Sequence, residues 1–122
     1  MGFHPANLAI RFLLELFALA AMGVWGWQQG GDPARYAFAL LVPLVAAAAW
    51  GVLAVPGDRS RSGKAPVAVR GAVRLGVEAV FFAFAILALY QSGSKALSAV
   101  LAVAVSVHYV ASYDRVAWLL RA

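Results

Sequence analysis

Two Arg-x-x-x-Glu pairs, Arg11 with Glu15 and Arg74 with Glu78, lie inside stretches otherwise made of Leu, Ala, Val, Phe and Ile. Residues four apart share a helix face, so each arginine reaches its own glutamate. A third polar group is the run His108-Tyr109-Val110-Ala111-Ser112-Tyr113-Asp114-Arg115. Helical spacing puts His108, Ser112 and Arg115 on one face with Asp114 beside it, and Tyr109 and Tyr113 on a different side. Carboxylates near an imidazole suit proton transfer, which makes Glu15, Glu78, His108 and Asp114 the candidates for acid–base catalysis. Each acid also has an arginine close by, which weakens the case for a general acid.

Other chemistries find less support. Cysteine is absent, and Ser112 has His108 one turn away but no nucleophile elbow or oxyanion motif. The other histidine, His4, is in the N-terminal tail, so no paired-imidazole metal site is expected. No glycine-rich phosphate loop with lysine occurs, and no cofactor is implied.

The elements that carry these residues are those of a membrane protein. Hydrophobic residues make up 64% of the chain and charged ones 12%, with a mean hydropathy of +0.82; soluble domains carry about a quarter charged residues. Four apolar segments, at about 7–28, 35–55, 71–91 and 95–120, are each near the ~20 residues that cross a hydrocarbon core. Backbone polar groups need internal partners in lipid, and no alternating strand pattern is present, so the segments read as helices. Ala18-Leu19-Ala20 resembles a signal-peptide cleavage site, but Glu15 inside the apolar run argues against a cleaved leader.

The segments repeat. At one constant offset Arg11 falls on Arg74, Glu15 on Glu78, Trp27 on Tyr90, Gln28 on Gln91, Gly30 on Gly93 and Trp50 on Tyr113. The expected fold is therefore an all-α membrane protein, a four-transmembrane-helix bundle built from two tandem helical hairpins in parallel repeat. It is one membrane domain over 1–122: repeat one at about 7–55, a linker at 56–70 rich in Pro, Gly, Ser and Arg, and repeat two at about 71–120.

Of the ten basic residues, eight fall on one side of this arrangement: Arg11, Arg59, Arg61, Lys64, Arg70, Arg74, Arg115 and Arg121. Arg35 and Lys95 take the other side. By the positive-inside rule both termini and the linker face the cytoplasm of a bacterial inner membrane. The Arg-Ser-Arg-Ser-Gly-Lys stretch has no aromatic or glycine pattern around it, so nucleic acid is not an expected partner.

At ~1.5 Å rise per residue, Glu15 lies roughly 12 Å along the first helix and Glu78 roughly 10 Å along the third. Asp114 stands at a similar depth in the fourth. Arg11, Arg74 and Arg115 thus share a layer with Glu15, Glu78 and Asp114, an arrangement in which cations and acids neutralise each other away from lipid. Trp25, Trp27, Tyr36 and Tyr90 read as an aromatic belt at the opposite interface.

The opening Asn7-Leu-Ala-Ile-Arg-Phe-Leu-Leu-Glu-Leu, the Gly23-Val-Trp-Gly-Trp with Gly30-Gly31, Trp50-Gly51, and Arg74-x-x-x-Glu78 followed by Ala88-Leu-Tyr90 resemble the YrdB-like family of small four-span bacterial membrane proteins. The resemblance implies the topology and carries no activity with it. The leading functional expectation is binding or transport of a small solute at a site formed by Arg11, Glu15, Arg74, Glu78, His108, Ser112, Asp114 and Arg115. An intramembrane acid–base enzyme acting on a lipophilic substrate is the first alternative. The second is a non-catalytic subunit of a larger membrane complex. Four short spans make a thin pathway, so a homo-oligomer, with a dimer favoured, is the expected partner state within the bilayer.

Overall fold

The computed structural model describes residues 4–58 and 65–122. Its elements are α1 (Pro5–Gln29), α2 (Ala34–Val52), β1 (Leu53–Ala54), β2 (Val67–Ala68), α3 (Gly71–Gln91), α4 (Lys95–Ala111) and α5 (Tyr113–Arg121). Arg59, Arg61 and Lys64 of the basic linker lie outside the described residues. Three of the helices, α1, α2 and α3, are long and apolar enough to cross a membrane, and α4 with α5 makes a fourth span if the bent pair counts as one.

α1 begins where the His4 imidazole accepts a hydrogen bond from the Ala6 amide at 3.1 Å and Pro5 presets the first turn. It ends at Gly30. α2 returns antiparallel, so close to α1 that a Cβ added at Gly26 would collide with the Phe38 carbonyl, and one at Gly23 would lie 3.3 Å from the Ala39 oxygen. Without side chains at these positions the two backbones can touch, as in other membrane helix pairs. α2 buries no residue of its own and continues through Pro43 without a break.

α3 is the central helix, running parallel to α1 and packed on α1, α4 and α5. Its buried face alternates charge and bulk: Arg74, Glu78, Phe81, Phe82, Ala85 and Leu89. Phe81, Phe82, Ala85 and Leu89 join Ala18, Ala21, Met22 and Leu101 as the apolar core. α4 returns antiparallel to α3, with the Ser98 hydroxyl donating to the Ile86 carbonyl at 2.7 Å. On the outside of the bundle Leu40, Val80 and Val110 are 71, 69 and 75% exposed. Such a surface suits lipid rather than water.

Two features differ from the expectation. The fourth segment is not one helix: α4 and α5 meet at a bend of 69°. Ser112 leaves the helical region (φ −96°, ψ 25°) and a new helix starts behind it, with Asp114 in its first turn and Arg121 in its last. Both charges complement the helix dipole, which favours restarting a short amphipathic helix over continuing an apolar one. α5 folds onto the start of α3, where a Cβ on Gly71 would collide with the Leu119 carbonyl. The linker is also not wholly irregular. Leu53 and Ala54 pair in parallel with Val67 and Ala68, and the Val69 amide donates to the Ala54 carbonyl at 2.9 Å. This short ladder returns the chain from the end of α2 to the start of α3.

Candidate functional site

The charged groups gather at the end of the bundle where α1 and α3 begin and α2 ends. Glu78 is their centre and is fully buried. Its Oε2 accepts from Arg74 Nε at 2.8 Å, Arg115 Nη2 at 2.8 Å and Arg11 Nη2 at 3.2 Å. Its Oε1 accepts from Arg115 Nη1 at 3.0 Å and from the Tyr109 hydroxyl at 2.5 Å. Five donors on one carboxylate exceed its roughly four lone-pair sites. Glu78 therefore has no capacity left for a substrate.

Each arginine ties Glu78 to a different part of the chain. Arg11 also donates through Nε to Glu15 at 3.2 Å, and the Glu15 side chain keeps 21% of its surface. Arg74 donates through Nη1 to the Trp50 carbonyl and, at 2.7 Å, to the Leu53 carbonyl. That satisfies carbonyls at the C-terminal end of α2, where a cation also meets the negative end of the helix dipole. Arg115 bridges Glu78 and Asp58, reaching Asp58 Oδ2 at 2.7 Å through Nη2. Trp50 packs beside two of these cations, its ring 4.4 Å from the Arg74 guanidinium carbon and 5.3 Å from that of Arg11. Arginine faces on an indole gain from the ring quadrupole where water is excluded.

Arg11, Arg74 and Arg115 thus meet the carboxylates of Glu15, Glu78 and Asp58. Expectation put Asp114 in the charged layer as its third acid. The structure gives Arg115 two carboxylate partners, Glu78 of α3 and Asp58 of the loop after β1, and places Asp114 half-buried in the first turn of α5. The reason is the bend at Ser112, which turns the helix so that Arg115 points back at α3. Ser112 is 2% exposed and its hydroxyl accepts from Asn7 Nδ2 at 2.7 Å.

His108 is 5% exposed, with its ring 5.3 Å from that of Tyr109. Among the described residues, the buried side-chain nitrogen and oxygen atoms without a hydrogen-bond partner are Arg35 Nε and His108 Nδ1. Four participants were not among the expected site residues: Asn7, Trp50, Asp58 and Tyr109. Helical spacing alone sets Tyr109 on a different side of α4 from His108. Both point inward because α4 lies in the angle between α1 and α3, so two adjacent residues meet different neighbours.

Two cavities flank the cluster. One, of about 450 Å³, lies between α3 and α4 and is lined by Glu78, Phe82, Ile86, Val105, Ser106 and Tyr109 among others. The other is a groove of about 870 Å³ between α2 and α3 with α1 as its floor, and every residue lining it is apolar. Among the described residues no group of three or more His, Asp or Glu is placed to hold a metal ion.

Apolar helices around a buried arginine–carboxylate cluster define a multi-span helical membrane protein. The chain belongs to the family described as "Protein of unknown function (DUF2568)", whose model matches residues 9–106. It is 41% identical over 117 residues to "Uncharacterized protein YrdB" of Bacillus subtilis (strain 168), covering 96% of this chain and 95% of the relative. No solved structure matches it.

Proposed function

We propose that the chain is a bacterial inner-membrane protein that binds a small polar solute at His108, beside the charged cluster. In this reading the helices form two tandem hairpins, α1 with α2 and α3 with the α4–α5 pair. Both termini lie in the cytoplasm, as the basic residues favour, and the cluster sits near the cytoplasmic side.

The observation that carries the reading is His108 Nδ1, a buried ring nitrogen without a hydrogen-bond partner, on the residue before Tyr109, which itself donates to Glu78. Leaving a buried polar atom unsatisfied costs about 1–3 kcal/mol, and a ligand that supplied the missing hydrogen bond would recover it. Beyond the cluster the core is Ala18, Ala21, Met22, Phe81, Phe82, Ala85, Leu89 and Leu101. That apolar plug favours binding over conduction through a single copy, so transport would need a path between copies. The saturated state of Glu78 counts against the acid–base enzyme. An accessory role keeps one specific support: α2 buries no residue within the chain and is free to pack against another.

The test is a thermal-shift screen of small polar solutes on detergent-purified protein, wild type beside His108→Ala. A solute that raises Tm of the wild type and leaves the variant unmoved supports the site. Solutes that shift both proteins equally, or none that shifts either, would remove it.

A further inference from the structure

The groove between α2 and α3 is independent of His108 and has a specific shape. On α3 it is lined by Val73, Gly76, Val77, Val80, Phe81 and Phe84. From Val73 to Phe84 is about 16 Å at ~1.5 Å per residue, close to half of the ~30 Å hydrocarbon thickness. The groove is therefore as deep as one leaflet.

Its charge is also one-sided. Arg70 caps the start of α3, exposed and with extended backbone, three residues before Val73, the first α3 residue of the groove. A cation thus stands within one turn of the end of an apolar slot. The neighbouring Arg74 is turned away, committed to Glu78 and to the end of α2. A partner helix would use the apolar wall and have no use for Arg70. A molecule with an anionic head and an apolar tail one leaflet long uses both.

We propose that this groove is a binding site for an anionic glycerophospholipid, its acyl chain along Val73, Val77 and Val80 and its phosphate at Arg70. Basic positions at helix ends facing anionic leaflets recruit such headgroups. Gly76 marks where the chain would lie, since a Cβ added there meets nothing within 4 Å. A larger side chain at that position fills the slot without touching the backbone of a neighbour.

The experiment is titration of delipidated, detergent-solubilised protein with dioleoyl phosphatidylglycerol or dioleoyl phosphatidylcholine, read by native mass spectrometry, with thermal unfolding as the folding check. Wild type should prefer phosphatidylglycerol. Arg70→Gln, at an exposed position, should lose about fivefold in affinity for phosphatidylglycerol and little for phosphatidylcholine. Gly76→Leu should weaken both lipids severalfold at a Tm no lower than that of the wild type. Equal affinity of the wild type for the two lipids would overturn the proposal. So would a Gly76→Leu protein that folds and binds phosphatidylglycerol as before, or a wild-type dimer that Gly76→Leu dissociates while lipid binding is unaffected. Should Gly76→Leu fail to fold, the Arg70→Gln comparison decides alone.

Discussion

Arg115 grips Glu78 with two parallel hydrogen bonds, Nη1 to Oε1 at 3.0 Å and Nη2 to Oε2 at 2.8 Å, and through this fork α5 is fastened to α3 at the centre of the charged cluster. Paired donors of this geometry are the strongest a carboxylate can accept. Both side chains are almost fully buried, so each depends on the other for compensation.

Glu78→Gln should be the most damaging single substitution in the cluster. It leaves three guanidinium groups facing an uncharged amide, and breaking a buried pair from one side costs about 3–5 kcal/mol. Glu15→Gln should cost less, about 1 kcal/mol, because the Glu15 side chain is only partly buried and meets Arg11 at the edge of the cluster. Thermal unfolding of the two variants in one detergent measures the order, and equal losses would mean that Glu78 is not the hub.

Asp58 and Arg115 should be energetically coupled. In a double-mutant cycle of Asp58→Asn and Arg115→Gln, the coupling should be about 0.5–3 kcal/mol. Strict additivity in chemical denaturation would show that the linker carboxylate contributes nothing to holding α5.

Gly71 and Gly76 are one turn and a half apart on α3 and should respond oppositely to the same change. Gly71→Ala drives a methyl group into the Leu119 backbone and should cost about 1–3 kcal/mol, as overpacking does. Gly76→Ala meets open space and removes a flexible residue from a helix, a gain of about 0.5–1 kcal/mol. The relative Tm values of the two variants are the readout.

Single cysteines placed at Ser62 and Ser94 in this cysteine-free chain should react with an impermeant maleimide from opposite sides of the membrane, Ser62 from the cytoplasm. Labelling of Ser62 in intact cells would reverse the proposed orientation.

The pairs Arg11–Glu15 and Arg74–Glu78 were legible because both partners lie in one helix and charges stand out against apolar runs. Asp58 was not, because it reaches Arg115 across fifty-seven positions from a loop whose composition says only that it is polar. Tyr109 required the angle at which α4 meets two neighbours, which helical periodicity within α4 does not contain. The break at Ser112 was hidden for a similar reason: Val116, Ala117, Trp118 and Leu119 continue the apolar count, while the turn arises from α5 packing on α3. The β1–β2 ladder is two residues long on each side, too short to leave an alternation. Trp50 was visible as part of a family-like motif, but its place beside two guanidiniums depends on α2 ending level with α3's second turn.

α2 is attached to the rest of the molecule in three ways: backbone contact with Gly23 and Gly26 toward one end, Val42, Ala46 and Trp50 packed on the core along its length, and the Arg74 guanidinium on its terminal carbonyls at the other end. A helix held in this way is a fixed wall. Rolling it would carry Trp50 off Phe81 and Phe82, whose ring centroids stand 4.4 and 5.6 Å away, so Trp50 works as a spacer that sets the width of the space beside α3 at the cluster end.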